Sequence, residues 1–334
     1  MIVVTGANGF LGAHLVAQLL LKGESVKALI RKEASLLEFT NILKHCYGID
    51  NHAEKDLKWE VVDIFDVFEI ESAFENASKV FHCLAMVDFN KSNKKQLHKV
   101  NVIGAENIVN ACLTQKVSKL IHVSSTAAIG RSKENLIITE DVQWEEDGNN
   151  TEYAETKHLA ELEVWRGIQE GLNAVIVNPS IILGYGNWDK GSCNFFKKMY
   201  HKFPFYTNGV NAFVGVKDVA KAMIYLADSD INNERFLLIS ENLSYQTIFK
   251  TIAKALDKKP PSIEIKKSYL PLLKILLKIY GVFNPKSQLT IETMRTSTNS
   301  FEYSNKKVAK VLPFEFQKID AVIEEAAVIY KEKR

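Results

Sequence analysis

The chain has 334 residues, 46% hydrophobic and 25% charged, with 42 basic and 40 acidic side chains. That hydrophobic fraction suits a globular protein with a sizeable core and excludes a disordered, collagen-like or coiled-coil chain. A formal net charge of +2 gives no field that argues for nucleic acid or an anionic membrane as a partner.

The apolar run Ile2-Val3-Val4 predicts a first strand, and apolar residues at helical spacing from Phe10 to Leu21 predict a helix after it. Val26 to Ile30 is the second strand. Residues 31–56 are mixed and charged, a short helix and a long loop. Trp59 to Ile64 is a third strand, Val67 to Phe74 a helix, and Lys79 to Leu84 a fourth strand. A long helix runs from about Lys94 to Gln115. Leu120 to Ser124 is a fifth strand, Tyr153 to Glu170 a helix, and Ala174 to Asn178 a sixth strand. Strands alternating with helices predict an α/β fold, a doubly wound parallel sheet with helices on both faces. The strands are continuous apolar runs, as burial on both faces requires. After Pro179 the pattern loosens. Helices are expected near 194–202, 218–228, 244–257, 268–281 and 318–332, and strands near 213–216 and 235–239.

Met1 leads into the first strand with no basic leader or cleavage site, and no apolar stretch of about 18 residues exists. Cys46, Cys83, Cys112 and Cys193 form no C-x-x-C pair, and the eight histidines lack metal-ligand spacing, so no metal site is expected. Unpaired thiols suit a reducing compartment. The expectation is a cytoplasmic protein without stable membrane insertion. The amphipathic stretch at 268–281, with Pro271 in its first turn and Lys274 and Lys278 spaced by four, reads as a lid, a surface helix or a membrane contact. His82, inside an apolar strand, reads as a core histidine. The acidic run Glu140, Asp141, Glu145, Glu146 and Asp147 reads as a solvated loop bordering a substrate entrance.

Thr5-Gly6-Ala7-Asn8-Gly9-Phe10-Leu11-Gly12 joins the first strand to the first helix. Gly6 allows a tight turn, Gly9 lets the backbone approach a pyrophosphate, and Gly12 lets helix and strand pack closely. The helix N-terminus adds unpaired N–H groups and a positive dipole end. Gly6, Asn8, Gly9, Phe10, Leu11 and Gly12 are therefore candidate cofactor residues. An acidic residue ending the second strand would bind the ribose 2′-hydroxyl of NAD. Arg31 and Lys32 stand there instead, and a guanidinium forks onto a 2′-phosphate. NADP is the expected cofactor, with NAD as the alternative.

Tyr153-Ala154-Glu155-Thr156-Lys157 places a phenol and an ammonium at i and i+4 on one helix face. A nearby cation stabilises phenolate and lowers the tyrosine pKa toward the working range. The fifth strand ends in His122-Val123-Ser124-Ser125, at the carboxyl edge where open α/β sheets bind ligands. A serine hydroxyl there can hold a substrate carbonyl.

Over about residues 1–230, in order, the sequence resembles an extended short-chain dehydrogenase/reductase of the NAD-dependent epimerase/dehydratase superfamily. The segments that carry the resemblance are TGANGFLG at 5–12, VVDIFD at 61–66, VFHCLA at 80–85, VNVIGAENIVNAC at 100–112, HVSSTAAIG at 122–130, YAETK at 153–157 and NPSIILGYGN at 178–187. The resemblance implies a Rossmann-type sheet with a smaller C-terminal substrate lobe. Residues 1–178 would form the dinucleotide-binding domain. Residues 179–334 would form most of the lobe, with about 210–230 returning to the core. It implies that Asp63 and Ile64 contact adenine, Leu84 and Ala85 line the nicotinamide ribose side, Asn101 contacts the cofactor, and Pro179 lies near the carboxamide. Ser125, Tyr153 and Lys157 would be catalytic, the last two also touching the cofactor. Counting back from Gly130 places the family's serine on Ser125, with Ser124 as its neighbour. A homodimer through helices about 94–116 and 153–170 is implied as well.

Departures from the family narrow the reaction. Nucleotide-sugar epimerases and dehydratases often carry an R-D-x-x-H-V-x-D segment whose arginine binds the diphosphate. At 211–218 the arginine is replaced by Asn211 and the histidine by Gly215, with Arg235 or a lysine left as a substitute. MVDF at 86–89 and NPSIILG are closer to dihydroflavonol-reductase-like and 3β-hydroxysteroid-dehydrogenase-like members. The leading expectation is an NADP-dependent oxidoreductase. It would reduce a ketone or aldehyde, or reversibly oxidise an alcohol, on a small-molecule substrate. A nucleotide-sugar epimerase or dehydratase is the second reading, and a non-catalytic NADP-binding regulatory protein the third.

Overall fold

The computed structural model describes residues 1–31, 35–49, 56–88, 93–130, 137–146, 150–269, 271 and 291–333. Lys32, Phe89, Asp147 and the greater part of the 268–281 stretch lie outside the described residues. In chain order the first half runs β1 (Ile2–Thr5), α1 (Phe10–Leu21), β2 (Val26–Ile30), α2 (Leu37–Tyr47), β3 (Leu57–Val61), α3 (Val67–Ala73), β4 (Lys79–His82), α4 (Lys94–His98), α5 (Gly104–Thr114), β5 (Lys119–Val123), β6 (Ile137–Ile138), α6 (Glu152–Gln169) and β7 (Ala174–Pro179). It continues through β8 (Ile181–Leu183), α7 (Asn194–Tyr200), β9 (Phe205–Tyr206), β10 (Val210–Gly215), α8 (Val216–Asp228), β11 (Glu234–Leu238), β12 (Glu241–Ser244) and α9 (Tyr245–Ala255). The remainder is β13 (Ile263–Glu264), α10 (Ile291–Thr298), β14 (Glu302–Tyr303), α11 (Lys306–Ala309) and α12 (Ile319–Glu332).

Seven strands pair in the order β11-β7-β5-β4-β1-β2-β3, all parallel. The chain winds outward from β1 in both directions. The switch point therefore lies between β1 and β4, at the carboxyl ends of these strands. Successive residues of each strand face opposite layers. Val4, Phe81, Ile121, Val175 and Val177 pack with α1, α2 and α8, and Val3, Val80, Leu120 and Ile176 pack with α3, α5 and α6. On α1, Leu11, Leu15 and Leu19 are buried, each by about 1.5–3 kcal/mol of apolar transfer.

β8, β10 and β12 form a separate three-stranded sheet. Phe213, Ile248, Ile252, Ile323 and Tyr330 form the core beside it, with α7, α9 and α12. The segment 216–228 returns to the large sheet as α8, where Val219, Ala220 and Met223 share a core with Leu15 and Leu19. The strand at 234–238 is the edge strand β11 of that sheet.

The expected long helix from Lys94 is interrupted. Residues Lys99–Ile103 form a π-helical turn between α4 and α5. Asn101 sits within it, with its side-chain amide bonded to the Met86 backbone and to Thr156. Such wide turns occur often at functional positions.

Candidate active site

The glycine turn follows from its contacts. Gly6 has φ +66°, and a Cβ there would stand 2.8 Å from the Leu84 backbone nitrogen. A Cβ on Gly12 would stand 2.2 Å from the Gly6 carbonyl oxygen. Any larger residue would push β1 and α1 apart. Gly9 caps α1 with no side-chain bond, and the first turn holds no acidic residue. The first N–H groups of α1 thus face outward beside an exposed glycine, where a pyrophosphate can take them up. These residues fit a dinucleotide.

Around the turn, Asn8 donates to the Ser35 carbonyl, 3.2 Å away, and Phe10 lies against Gly186. Leu11 is buried. Arg31 is exposed just past β2. Asp63 is exposed, and its carboxylate accepts from Phe65 N at 3.0 Å. Ile64 is buried, and its side chain passes so close to α5 that a Cβ on Gly104 would stand 2.9 Å from it. Leu84 is half-buried against Gly6, and Ala85 is exposed. Pro179 ends β7, paired with Leu238 of β11. Asn101 braces rather than faces open space. Its Oδ1 accepts from Met86 N at 2.7 Å, and its Nδ2 donates to Met86 O and Thr156 Oγ1, each at 3.0 Å.

Thr151 caps the N-terminus of α6 by accepting from Ala154 N at 3.1 Å. The next turns of α6 deliver Tyr153 and Lys157 to the end of β5. The Tyr153 phenol is half-buried and hydrogen-bonded to the Ser125 hydroxyl. Burial raises its pKa above the ordinary tyrosine value, and the Ser125 bond pulls it back down. Ser125 also accepts from Ala127 N at 3.1 Å, which fixes its hydroxyl at the start of a short turn. Ser124 is buried with its hydroxyl unpartnered. Of the two serines, Ser125 meets the phenol.

Lys157 is 2% exposed, and its ammonium donates to the Val123 carbonyl at 2.7 Å. Burial lowers its pKa to about 8, and Glu161 and then Cys83 act in the raising direction. Across β4 and β5 the rings of the buried pair His82 and His122 lie 5.2 Å apart, tilted by 33°. His82 shares a 2.7 Å bond with Thr5, which satisfies it as a core histidine. Burial holds His82 down at about 3, and Lys157 adds to the effect.

A group that the sequence motifs did not single out lies one turn beyond Lys157. Glu161 is 1% exposed and accepts from Asn178 Nδ2 at 2.5 Å. Asn178 also donates to the Ser125 carbonyl at 3.0 Å. Arg235 reaches the other Glu161 oxygen at 3.5 Å and donates to the Glu140 and Val142 carbonyls. Glu140, expected in a solvated loop, is instead buried and accepts from Leu237 N at 2.9 Å. Arg235 is therefore committed to this junction. Asn211 is buried, with its Oδ1 accepting from Ala212 N at 2.8 Å. At Gly215 a Cβ would meet Val322 at 2.9 Å, so the position of the family's histidine has no room for one.

A parallel doubly wound sheet with a glycine turn at its switch point defines a dinucleotide-binding protein of the Rossmann class. Residues 2–238 match the NAD dependent epimerase/dehydratase family, and the chain belongs to it. It is thus an NAD(P)-dependent enzyme of the extended short-chain dehydrogenase/reductase type. It is 26% identical over 272 residues to sterol demethylase protein B of Methylococcus capsulatus, covering 79% of this chain and 76% of that one. It is 28% identical over 254 residues to a protein of Synechocystis sp. assigned as a dihydroflavonol 4-reductase, covering 73% and 69%. A UDP-glucose 4-epimerase from Thermotoga maritima, solved with UDP-glucose, superposes with a TM-score of 0.77 at 17% identity, over 99% of both chains. That last likeness is one of fold. Among the described residues no helix is long and apolar enough to cross a membrane.

Proposed function

We propose that the protein is an NADP-dependent reductase of ketones or aldehydes, working reversibly on the matching alcohols. The observation that carries the reading is the Tyr153–Ser125 hydrogen bond beside the buried Lys157 ammonium, at the sheet edge that the glycine turn opens. When bound, NADPH would supply the hydride for the carbonyl carbon. Ser125 holds the carbonyl oxygen, and Tyr153 gives that oxygen its proton, so the carbonyl leaves as an alcohol. On this reading Lys157 holds the nicotinamide ribose and favours the proton's departure once the cofactor is bound. In the protein alone burial raises the phenol and the Ser125 bond is the lowering influence, so the lowering by Lys157 expected from the i and i+4 spacing is not present there. Arg31, exposed after β2, supports the 2′-phosphate choice, because a guanidinium can fork onto that phosphate. On this reading residues 1–178 carry the cofactor and the later segments choose the substrate. The resemblance also carries a homodimer through the α4–α5 and α6 helices, where Leu162 is 47% exposed.

Neutral Asn211 and crowded Gly215 weigh against a sugar-nucleotide diphosphate. So does Arg235, held by Glu161 and the two carbonyls. The reductase relatives lie on the same side. An NADPH-oxidation assay across aldehydes, ketones and flavanonols, with NADH in parallel, tests the reading. Turnover with a carbonyl and preference for NADPH are expected. No turnover with any carbonyl, alongside turnover of a nucleotide sugar, overturns it.

A further inference from the structure

Buried polar groups gather on the α6 side of the sheet. Thr5 bonds His82, whose ring lies beside that of His122. Lys157 acts electrostatically on both histidines, and Asn178 joins the Ser125 carbonyl to Glu161. An isolated ammonium in such a place carries a large desolvation penalty unless an opposite charge accompanies it. The groups facing Lys157 supply little of that. His82 and His122 are held neutral by burial. Burial also pushes the Cys83 thiol up to about 12, so it stays uncharged. Tyr153 is held above its ordinary value. His158, also on α6, is half-buried, bonded to the Ala128 backbone and lowered by burial. Among the groups acting on Lys157, Glu161 is the carboxylate.

We infer that Glu161 is a positioning residue for the Ser125–Tyr153–Lys157 site: its carboxylate, one helical turn beyond Lys157 and pinned between Asn178 and Arg235, is the counter-charge that keeps the Lys157 ammonium charged and in place. The inference rests on the proposed role of Lys157, though the charge balance itself is a property of the protein alone. Residues four apart share a helix face, so Glu161 acts on Lys157 through space, while the ammonium itself donates to the Val123 carbonyl. Asn178 stops the carboxylate from turning away, and through the Ser125 carbonyl it couples that carboxylate to the serine arm of the site. Arg235 has the opposite electrostatic sign. It draws on the same carboxylate from the β11 side and limits how strongly Glu161 holds Lys157.

The two signs separate this role from a structural one. The test is a pH titration of the Lys157 Cε signal by carbon NMR in the full chain labelled at lysine, with the signal assigned by a Lys157→Met protein. Glu161→Gln keeps the shape and an oxygen for Asn178 but removes the charge. The Lys157 midpoint is expected to fall by about one pH unit. Arg235→Gln leaves Glu161 wholly to Lys157, and the midpoint is expected to rise. Simple loosening of the junction would admit water and raise the midpoint in both variants. A midpoint unchanged or raised in Glu161→Gln overturns the inference. Should that variant not fold, Glu161→Asp decides in its place: the shorter side chain withdraws the charge from Lys157, so a fall in the midpoint supports the inference, and no change or a rise overturns it. The alkaline limb of kcat for carbonyl reduction should move with the same midpoints. Wild-type protein that reduces no carbonyl removes the proposed function, while the NMR midpoints still decide the role of Glu161.

Discussion

Tyr153 and phenylalanine differ by one hydroxyl, and that hydroxyl is bonded to Ser125 at the end of β5. Tyr153→Phe removes the proposed proton donor and leaves the ring in its place. A general acid is worth typically 10²–10⁴-fold, so kcat is expected to fall by about that factor. NADPH binding, measured by the quenching or enhancement of its fluorescence, should stay within about threefold. Equal losses in binding and kcat would mean that the phenol holds the cofactor rather than the proton. Tyr153, Lys157 and Ser125 could be read from the sequence because two of them share a helix face and the third ends a strand. Glu161 was as legible in spacing, one more turn along the same face, but its value depends on Asn178 and Arg235. Those residues come from β7 and β11, and only the parallel pairing of these strands brings them to α6. Glu140 misled for the same reason. An acidic run looks solvated until the fold hands one of its members a buried backbone N–H.

The segment from β6 to Trp144 packs against the turn at Gly130, and only a glycine there allows so close an approach. A Cβ on Gly130 would stand 1.6 Å from the Gln143 carbonyl oxygen and 3.0 Å from the Trp144 Cα. Trp144 in turn stacks on His158 of α6 at 4.4 Å, nearly coplanar at 6°. Gly130→Ala must therefore push the 143–144 backbone away from residue 130. Overpacking of this kind costs about 1–3 kcal/mol, read as a lower midpoint in urea unfolding. An unchanged midpoint would show that this segment moves freely, against the packing described. At this scale the large sheet was legible almost to the residue, because each strand buried on both faces is a continuous apolar run. Strand ends were less so. Val62 and Ile64 look like continuations of β3 yet lie past Val61, buried in the turn that feeds α3. Two- and three-residue strands such as β8, β9 and β13 have no periodicity to read. Their pairing comes from the tertiary fold. The π turn at Lys99–Ile103 was hidden because Asn101 is drawn aside by Met86 and Thr156, partners distant in the chain.

The whole molecule makes opposite demands on pH. Burial holds His14 at about 4 and His82 at about 3, against an ordinary value of 6.5. Because the folded values are depressed, unfolded chains bind protons below about pH 6.5 that the folded protein refuses. Stability from these groups is therefore present above that pH and lost as pH falls. The loss is on the order of 2 kcal/mol for each histidine by about pH 5. Lys157 has the same sign in another window. Its folded pKa of about 8 lies below the ordinary 10.5, so its contribution to stability grows as pH rises between them. The charged lysine that the proposed chemistry uses is lost over that same window. Activity and stability should thus part company above about pH 8, the first falling while this share of the second rises. His14 offers the cleaner measurement, since its ring bonds Tyr47 and the Tyr185 carbonyl and stands apart from the catalytic groups. His14→Gln cannot take up a proton. Between about pH 6.5 and pH 5, unfolding free energy from urea titrations should fall less steeply than in the wild type, by about 1.4 kcal/mol per pH unit. Parallel slopes in the two proteins would mean that His14 protonates in the folded state, and that water reaches it between α1 and the Tyr185 carbonyl.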